Sequence, residues 1–154
     1  MKKYIKPALL ILLGAFIILQ FFRGTPPEVR AENPDDIMAH EVIDAEVATL
    51  LRSACYDCHS METNYPWYTY ITPLSWWIFE HVEHGREELN FSEWASFSMK
   101  RKLHKLEEIS EETLEGEMPL ESYTPVHAEA QLTDEQRQLI SDWALGMVEK
   151  AKGN

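Results

Sequence analysis

The chain has 154 residues, and its 26 acidic side chains outnumber 14 basic ones, which gives a formal net charge of −12. This balance argues against nucleic acid and against an anionic membrane surface as partners, because both repel carboxylates. Two cysteines are too few for a zinc site built from two cysteine pairs.

The N-terminal segment, residues 1–23, has the composition of a membrane anchor or a signal segment. Lys2, Lys3 and Lys6 precede an apolar run over residues 7–22, and Arg23 follows it. A positively charged start before an apolar run predicts export. The chain is therefore expected to place most of its length outside the cytoplasmic membrane.

The residues after Arg23 decide between an anchor and a cleaved signal. They read Gly24-Thr25-Pro26-Pro27 and contain no small-x-small cleavage site. We therefore expect a single-pass anchor in a bacterial inner membrane, with the rest of the chain in the periplasm. Cleavage and release into the periplasm is the alternative.

Residues 24–43 are predicted to form a tether, because prolines interrupt a polar stretch there. Without the four basic residues of the N-terminal segment, 10 basic residues face 26 acidic ones, a net charge of −16. Such a charge keeps a domain soluble, and a clustered acidic face would also steer a basic redox partner.

Residues 44–154 are predicted to form one all-α domain, since apolar residues recur at helical spacing and strand-like alternation is absent. Asp44 to Ala54 form the first predicted helix. Thr72-Pro73 starts the next, with Gly85 as its predicted stop. Ser92 is expected to cap a short turn through Trp94.

The C-terminal third is predicted to contain three helices. Two span residues 99–109 and 111–115, with Ser110 between them and Gly116 at the end. The last begins at a capping box made by Thr133 and Gln136 and carries a clear apolar stripe.

The motif most informative about function is Cys55-Tyr56-Asp57-Cys58-His59, a CxxCH run that uses both cysteines of the chain. Thiols three positions apart on a helical turn can add to the two vinyl groups of one porphyrin. The adjacent His59 is then the proximal iron ligand. The motif thus predicts one covalent haem c, bound through Cys55 and Cys58.

Three other roles of CxxC are less consistent with the chain. A thioredoxin-like redox pair needs a strand before it and a helix after it. Structural zinc needs four ligands. A disulfide between positions three apart closes a very small loop and constrains little of the unfolded chain.

Met118 is the candidate for the distal iron ligand. It lies in Glu117-Met118-Pro119, directly after Gly116, and outside the helical stripes. Thioether sulfur is a soft ligand, and a Met/His pair raises the reduction potential of haem. His81 is the alternative, and it would give a bis-histidine haem of lower potential.

Several other side chains have a less specific interpretation. His81 and His84 are spaced for a metal pair or for a wet helix face. Arg86 suits a haem propionate. His104 and His127 are expected at the surface. Most of a dense aromatic group is expected in the core, with some members against the porphyrin. Its members are Tyr65, Trp67, Tyr68, Tyr70, Trp76, Trp77 and Phe79.

The order of these features resembles small c-type cytochromes, with a helix into CxxCH, a methionine loop and a final amphipathic helix. The stretches ACYDCHS (54–60), YPWY (65–68), PLSW (73–76), LNFSEW (89–94) and GEMP (116–119), with His81, Gly85-Arg86 and Tyr123-Thr124, resemble a bacterial haem-binding domain family defined around CxxCH. The resemblance covers about residues 44–150. It implies a mono-haem domain, in a family sometimes found beside di-haem cytochrome c peroxidase modules.

Two functions follow as expectations. The first is electron transfer through a haem that is closed on both faces, with a redox protein as partner, either a basic one or a di-haem peroxidase-type protein. The second is a haem enzyme or sensor with an open distal side, for which a distal base and a charged partner are needed. The closeness of His81 and Arg86 in the sequence is the one hint of such a pair. The presence of Met118 as a candidate distal ligand favours electron transfer, and therefore a non-enzymatic role.

Overall fold

The computed structural model describes residues 2–153, and within that range every regular element is a helix. The predicted all-α class is confirmed. The α-helices are α1 (Lys2–Leu19), α2 (Ile37–His40), α3 (Ala45–Ala54), α4 (Tyr56–His59), α5 (Leu74–Glu88), α6 (Met99–Glu115) and α7 (Asp134–Lys152). Short 3-10 turns span Gln20–Phe22, Trp67–Tyr70, Phe91–Ser96 and Ala128–Ala130.

The N-terminal apolar helix stands apart from the core. Together with the turn after it, α1 forms a 19-residue apolar stretch, Tyr4–Phe22, with no part buried in the domain. At about 1.5 Å per residue it is close to the thickness of a bilayer core. It is long and apolar enough to cross a membrane, a composition that a signal sequence shares.

The domain core lies between α3, α6 and α7. The most extensive packing is between α6 and α7, and α3 also packs against α7. Leu51 of α3, Leu106 of α6 and Ile140 of α7 are almost completely buried in one cluster with Phe91 and Trp94. Burial of this apolar surface is the main stabilising contribution to the fold.

The ends of the C-terminal helices follow their capping residues. Ser98 accepts a hydrogen bond from the backbone N–H of Arg101 at the start of α6, and Gly116 ends α6 with a φ of 82°. The predicted capping box of Thr133 and Gln136 at the start of α7 is confirmed. These contacts satisfy backbone groups that a helix end otherwise leaves unpaired.

The predicted break at Ser110 is wrong. A single helix, α6, runs from Met99 to Glu115, and Ser110 lies inside it. The Ser110 hydroxyl is hydrogen-bonded to the hydroxyl of Ser141 on α7, with 2.7 Å between the two oxygens. Its polar side chain therefore joins two helices and does not cap the start of one.

The predicted stop at Gly85 is also wrong, because α5 continues to Glu88. A Cβ added at Gly85 would lie 2.9 Å from the carbonyl oxygen of Cys58. Glycine is needed there because α4 and α5 approach each other closely, and not because the backbone turns.

Part of the predicted tether belongs to the core. Ile37 is fully buried. The carboxylate of Asp36 accepts hydrogen bonds from the Tyr56 hydroxyl at 2.7 Å and from the Ser92 hydroxyl at 3.3 Å. The expected cap of the 91–96 turn is not Ser92 but Asn90, whose side chain accepts from the Ser92 N–H.

Candidate functional site

The CxxCH residues form one helical turn. The backbone N–H of His59 donates to the carbonyl of Cys55 at 2.9 Å, so α4 begins directly after Cys55. Cys55 and Cys58 are free thiols in the structure. Desolvation raises the pKa of Cys55 to about 12 and that of Cys58 to about 11. Both thiols are therefore protonated at neutral pH, unlike the thiolates of redox-active cysteine pairs.

The His59 ring has a defined tautomer. Its Nδ1 lies 2.8 Å from the carbonyl oxygen of Gly85 and 3.1 Å from that of Leu89. Carbonyl oxygens only accept, so Nδ1 carries the proton and Nε2 keeps its lone pair. Burial lowers the pKa of His59, which also favours the neutral ring. A histidine that donates one N–H to a backbone carbonyl is oriented to bind a metal through its other nitrogen.

Two adjoining clefts meet at His59. The central cleft, about 620 Å³, lies between α4, α5 and residues 118–123. The side cleft, about 290 Å³, lies between α4 and α6. His59 and Met118 line both clefts, whereas Cys58 lines the central cleft and Cys55 the side cleft. The CxxCH turn thus presents Cys55, Cys58 and His59 to two neighbouring clefts.

The backbone around Met118 is fixed by α7. The Arg137 guanidinium donates to the carbonyl of Met118 at 2.7 Å and to that of Thr113 at 2.8 Å. The Met118 N–H donates to the carbonyl of Glu112. We call residues 117–123 the methionine loop. Arg137, which lies on α7, therefore joins this loop to the end of α6. Sequence reasoning missed this residue because its two acceptors are distant backbone groups.

The alternative candidate, His81, lines the central cleft but not the side cleft. Its Nδ1 is 2.8 Å from the carbonyl of Trp77, one turn earlier on α5, and its ring lies against the Trp77 ring. His84 lines the same cleft and is exposed. In residues 2–153 no group of three or more His, Cys, Asp or Glu side chains is arranged to hold a metal ion.

The Arg86 side chain forms its hydrogen bonds away from the two clefts. Its guanidinium donates to the carbonyls of Ser60 and Glu28 and to the hydroxyl of Thr63, all within 2.8 Å. It lines neither cleft in the described part of the chain. These bonds hold the chain that follows α4, so the structure gives no support to the expected propionate contact.

The cation at the clefts is instead Lys105 of α6. It is the one Lys or Arg among the described residues that lines either cleft. Its side chain is only 12% exposed and pairs with Glu88 and Glu108. Sequence reasoning missed it because Lys105 sits in a charged stretch that resembles an ordinary solvated helix face.

A hydrogen bond to Asp57 joins two residues that line the central cleft. The Tyr123 hydroxyl donates to the Asp57 carboxylate at 2.7 Å, and the pKa of Tyr123 is raised by burial and by this bond. The His127 ring stacks on Tyr123, and its Nε2 is 3.0 Å from the Tyr68 hydroxyl. His127 is thus half-buried, whereas the expected exposure of His104 is confirmed.

The arrangement fits a haem. The set of available donors is an imidazole Nε2 and a methionine sulfur, with two thiols beside them. The central cleft falls within the range of about 300–1,000 Å³ that is typical of cofactor pockets. These features define the class as an all-helical protein with a haem-sized cleft at a CxxCH turn.

Comparison with known families agrees with this class. The sequence model of the haem-binding domain family matches residues 14–145, a span that contains α4 and Met118. The chain therefore belongs to the haem-binding domain family, and haem is the cofactor that this membership supports. No curated protein and no solved structure is similar enough to count as a match.

Proposed function

We propose that the protein is a membrane-anchored, c-type cytochrome-like electron-transfer protein with a single covalent haem. The observation that carries the proposal is the His59 ring, whose Nδ1 proton is held by the Gly85 carbonyl. Its Nε2 is thereby free beside two thiols and a cleft that Met118 also lines.

Each residue has one task in this proposal. Cys55 and Cys58 attach the porphyrin by thioether bonds, and His59 is the proximal ligand. The haem iron supplies a one-electron change of oxidation state when bound. Gly85 and Leu89 keep the His59 ring in place through their carbonyls, and Phe91 packs edge-on against it. A ligand held by protein contacts needs little reorganisation between oxidation states.

Met118 is proposed as the distal ligand, with His81 as the alternative. Two observations support methionine: Met118 lines both clefts, and Arg137 holds its carbonyl. A distal thioether would close the second face of the haem, as suits electron transfer. Lys105 is the proposed partner of a propionate, because it is the basic side chain that reaches the clefts.

The alternative, a haem enzyme or sensor, needs an open distal face with a base and a charged group. Arg86 would be that charged group, but its guanidinium is committed to Ser60, Glu28 and Thr63. Electron transfer is therefore the better supported function. Its redox partner is proposed to be basic, in keeping with the acidic domain, or a di-haem peroxidase-type protein.

The N-terminal helix supports a location at the bacterial inner membrane, with the haem domain in the periplasm. Haem attachment to CxxCH takes place on that side of the membrane. N-terminal sequencing of the mature protein tests the anchor directly. A chain that begins after residue 23 would show that the segment is a cleaved signal.

Spectroscopy of the matured protein tests the haem assignment. The full chain, produced with the haem c maturation machinery, should keep haem in denaturant, and Cys55→Ala with Cys58→Ala should lose it. The oxidised protein should be low-spin with a methionine-to-iron charge-transfer band. Met118→Ala should remove the band, whereas His81→Ala and the exposed Met99→Ala should retain it. A high-spin spectrum of the unmutated protein would contradict electron transfer.

A further inference from the structure

An uncharged stretch follows the CxxCH turn. Residues 63–79 contain no Asp, Glu, Lys, Arg or His, although the exported part of the chain has a net charge of −16. The stretch includes seven aromatic residues. An uninterrupted run of this kind is unusual on a domain that is otherwise densely charged.

Much of this stretch is exposed, so the expectation that most of these aromatics form the core is wrong. Phe79 is buried and Tyr65 and Tyr68 are half-buried, but Trp67 is 76% exposed. We call the exposed large side chains of this stretch the aromatic face. Its members are Trp67, Tyr70, Leu74, Trp76 and Trp77.

The aromatic face is joined to the end of the apolar N-terminal helix. The Gln20 side chain donates to the carbonyl of Thr72 at 2.9 Å and accepts from the Thr72 N–H at 3.0 Å. The Trp76 indole N–H donates to the carbonyl of Phe22. These three bonds fix the last turn of the apolar stretch Tyr4–Phe22 against the start of α5.

This attachment determines which side of the domain is nearest the membrane. A helix that crosses the bilayer over Tyr4–Phe22 leaves it at Phe22, and Trp76 is bonded to that residue. Trp76 and the start of α5 therefore lie at the depth of the lipid headgroups, and the 67–70 turn packs against α5. Trp and Tyr are enriched at that depth, because the ring is apolar while the N–H or O–H remains hydrated.

Charge favours the same orientation. The domain is acidic, and carboxylates close to lipid phosphates are repelled or desolvated. An uncharged surface avoids both costs. The aromatic face thus has the composition and the position of a surface in contact with a bilayer.

We propose that the aromatic face rests in the headgroup region of the bilayer that α1 crosses, and that it seats the haem domain directly on the membrane. The proposal depends on the membrane anchor of the proposed function. Trp77 belongs to the aromatic face and also lines the central cleft. The central cleft accordingly lies beside the membrane surface rather than at the end of a long tether.

Photolabelling of the full chain in phosphatidylcholine nanodiscs tests the proposal. One nanodisc preparation carries a phospholipid with a diazirine on an acyl chain, and a second carries the diazirine on the headgroup. Mass spectrometry of the digested protein then locates the adducts. The acyl-chain probe should label α1, and the headgroup probe should label residues 65–77 but not α7.

A matched pair of variants sharpens the test. Trp67→Asp places a charge on the aromatic face and should reduce headgroup adducts on residues 65–77 several-fold. Val42→Asp changes an even more exposed apolar residue outside the face and should leave the adducts on residues 65–77 unchanged.

The labelling results distinguish the proposed contact of the domain with the bilayer from the proposed membrane anchor. Adducts on α1 without adducts on residues 65–77 would overturn the seated domain and leave the anchor standing. Absence of acyl-chain adducts on α1 would overturn the anchor, and the seated domain with it. Headgroup adducts of equal yield on α7 and on residues 65–77 would also overturn the proposal, because no particular face would then meet the bilayer.

Discussion

Gly85 links the fold to the candidate haem site through two backbone contacts. Its carbonyl oxygen accepts a hydrogen bond from the Nδ1–H of His59. Because it has no side chain, α4 and α5 can approach each other closely. A glycine that the sequence pattern marks as a helix stop thus has a packing role. The same residue sets both the distance between α4 and α5 and the orientation of the His59 ring.

Gly85→Ala is expected to destabilise the holoprotein by about 1–3 kcal/mol, because the new Cβ would meet backbone that cannot rotate away. Urea unfolding followed by circular dichroism measures the effect. Gly146→Ala on α7 is the matched control, since no atom lies within 4 Å of its added Cβ. That variant should gain about 0.5–1 kcal/mol from helix propensity. Equal effects at the two positions would contradict the packing role of Gly85.

Tyr123→Phe tests the hydrogen bond that joins the methionine loop to the CxxCH turn. The change removes the 2.7 Å bond to Asp57 but keeps the ring that stacks on His127. A hydrogen bond to a charged group contributes about 1.5–3 kcal/mol, so the free energy of unfolding should fall by that amount.

The control for Tyr123→Phe is Tyr70→Phe at the exposed aromatic face. It should change the free energy of unfolding by less than about 0.5 kcal/mol, as is usual at the surface. A Tyr123→Phe protein as stable as the Tyr70→Phe protein would show that the bond to Asp57 adds nothing to the fold.

At the scale of elements, a buried pair of hydroxyl groups joins α6 and α7. The hydroxyls of Ser110 and Ser141 meet at 2.7 Å, and both serines are buried. Small side chains allow the two helices to approach there. The pair also explains why a serine in the middle of α6 neither caps nor interrupts that helix.

A double-mutant cycle at Ser110 and Ser141 tests this pair. Either single change to alanine leaves one buried hydroxyl unpaired and should cost about 1–3 kcal/mol. The double variant should be less destabilised than the sum of the two, because both hydroxyls are then gone. Denaturant midpoints at constant slope provide the four free energies. Strict additivity would argue against the hydrogen bond.

At the scale of the whole molecule, charge separates two kinds of surface. Residues 24–154 carry a net charge of −16, while residues 63–79 carry none. The uncharged region adjoins the end of the N-terminal apolar helix, so with the proposed anchor the acidic surface remains for partners in solution. A cationic partner is then attracted at long range.

The proposed steering predicts a dependence of electron-transfer rate on ionic strength. A cationic oxidant should react faster with the reduced holoprotein than an anionic oxidant of similar size and driving force. The ratio of the two rates should fall towards one as salt is raised, since the screening length shrinks from about 30 Å at 0.01 M to about 8 Å at 0.15 M. Stopped-flow spectroscopy measures both rates. A ratio that salt does not change would contradict an acidic interaction surface.

The amino-acid sequence alone was enough for the features that rest on local interactions. Helical periodicity predicted the all-α class, the capping box predicted the start of α7, and charge followed by an apolar run predicted α1. The CxxCH spelling named Cys55, Cys58 and His59, and each of these lines one of the clefts. Such signals need only neighbours within about one or two helical turns.

Only the tertiary structure decided the features that depend on contacts between distant residues. It placed Lys105 rather than Arg86 at the clefts and showed that Gly85 permits a close approach. It also buried Ile37 of the predicted tether and exposed Trp67 of the predicted core. A hydrophobic side chain tends to be buried. Whether it is buried in the fold depends on how helices that are far apart in the chain pack together.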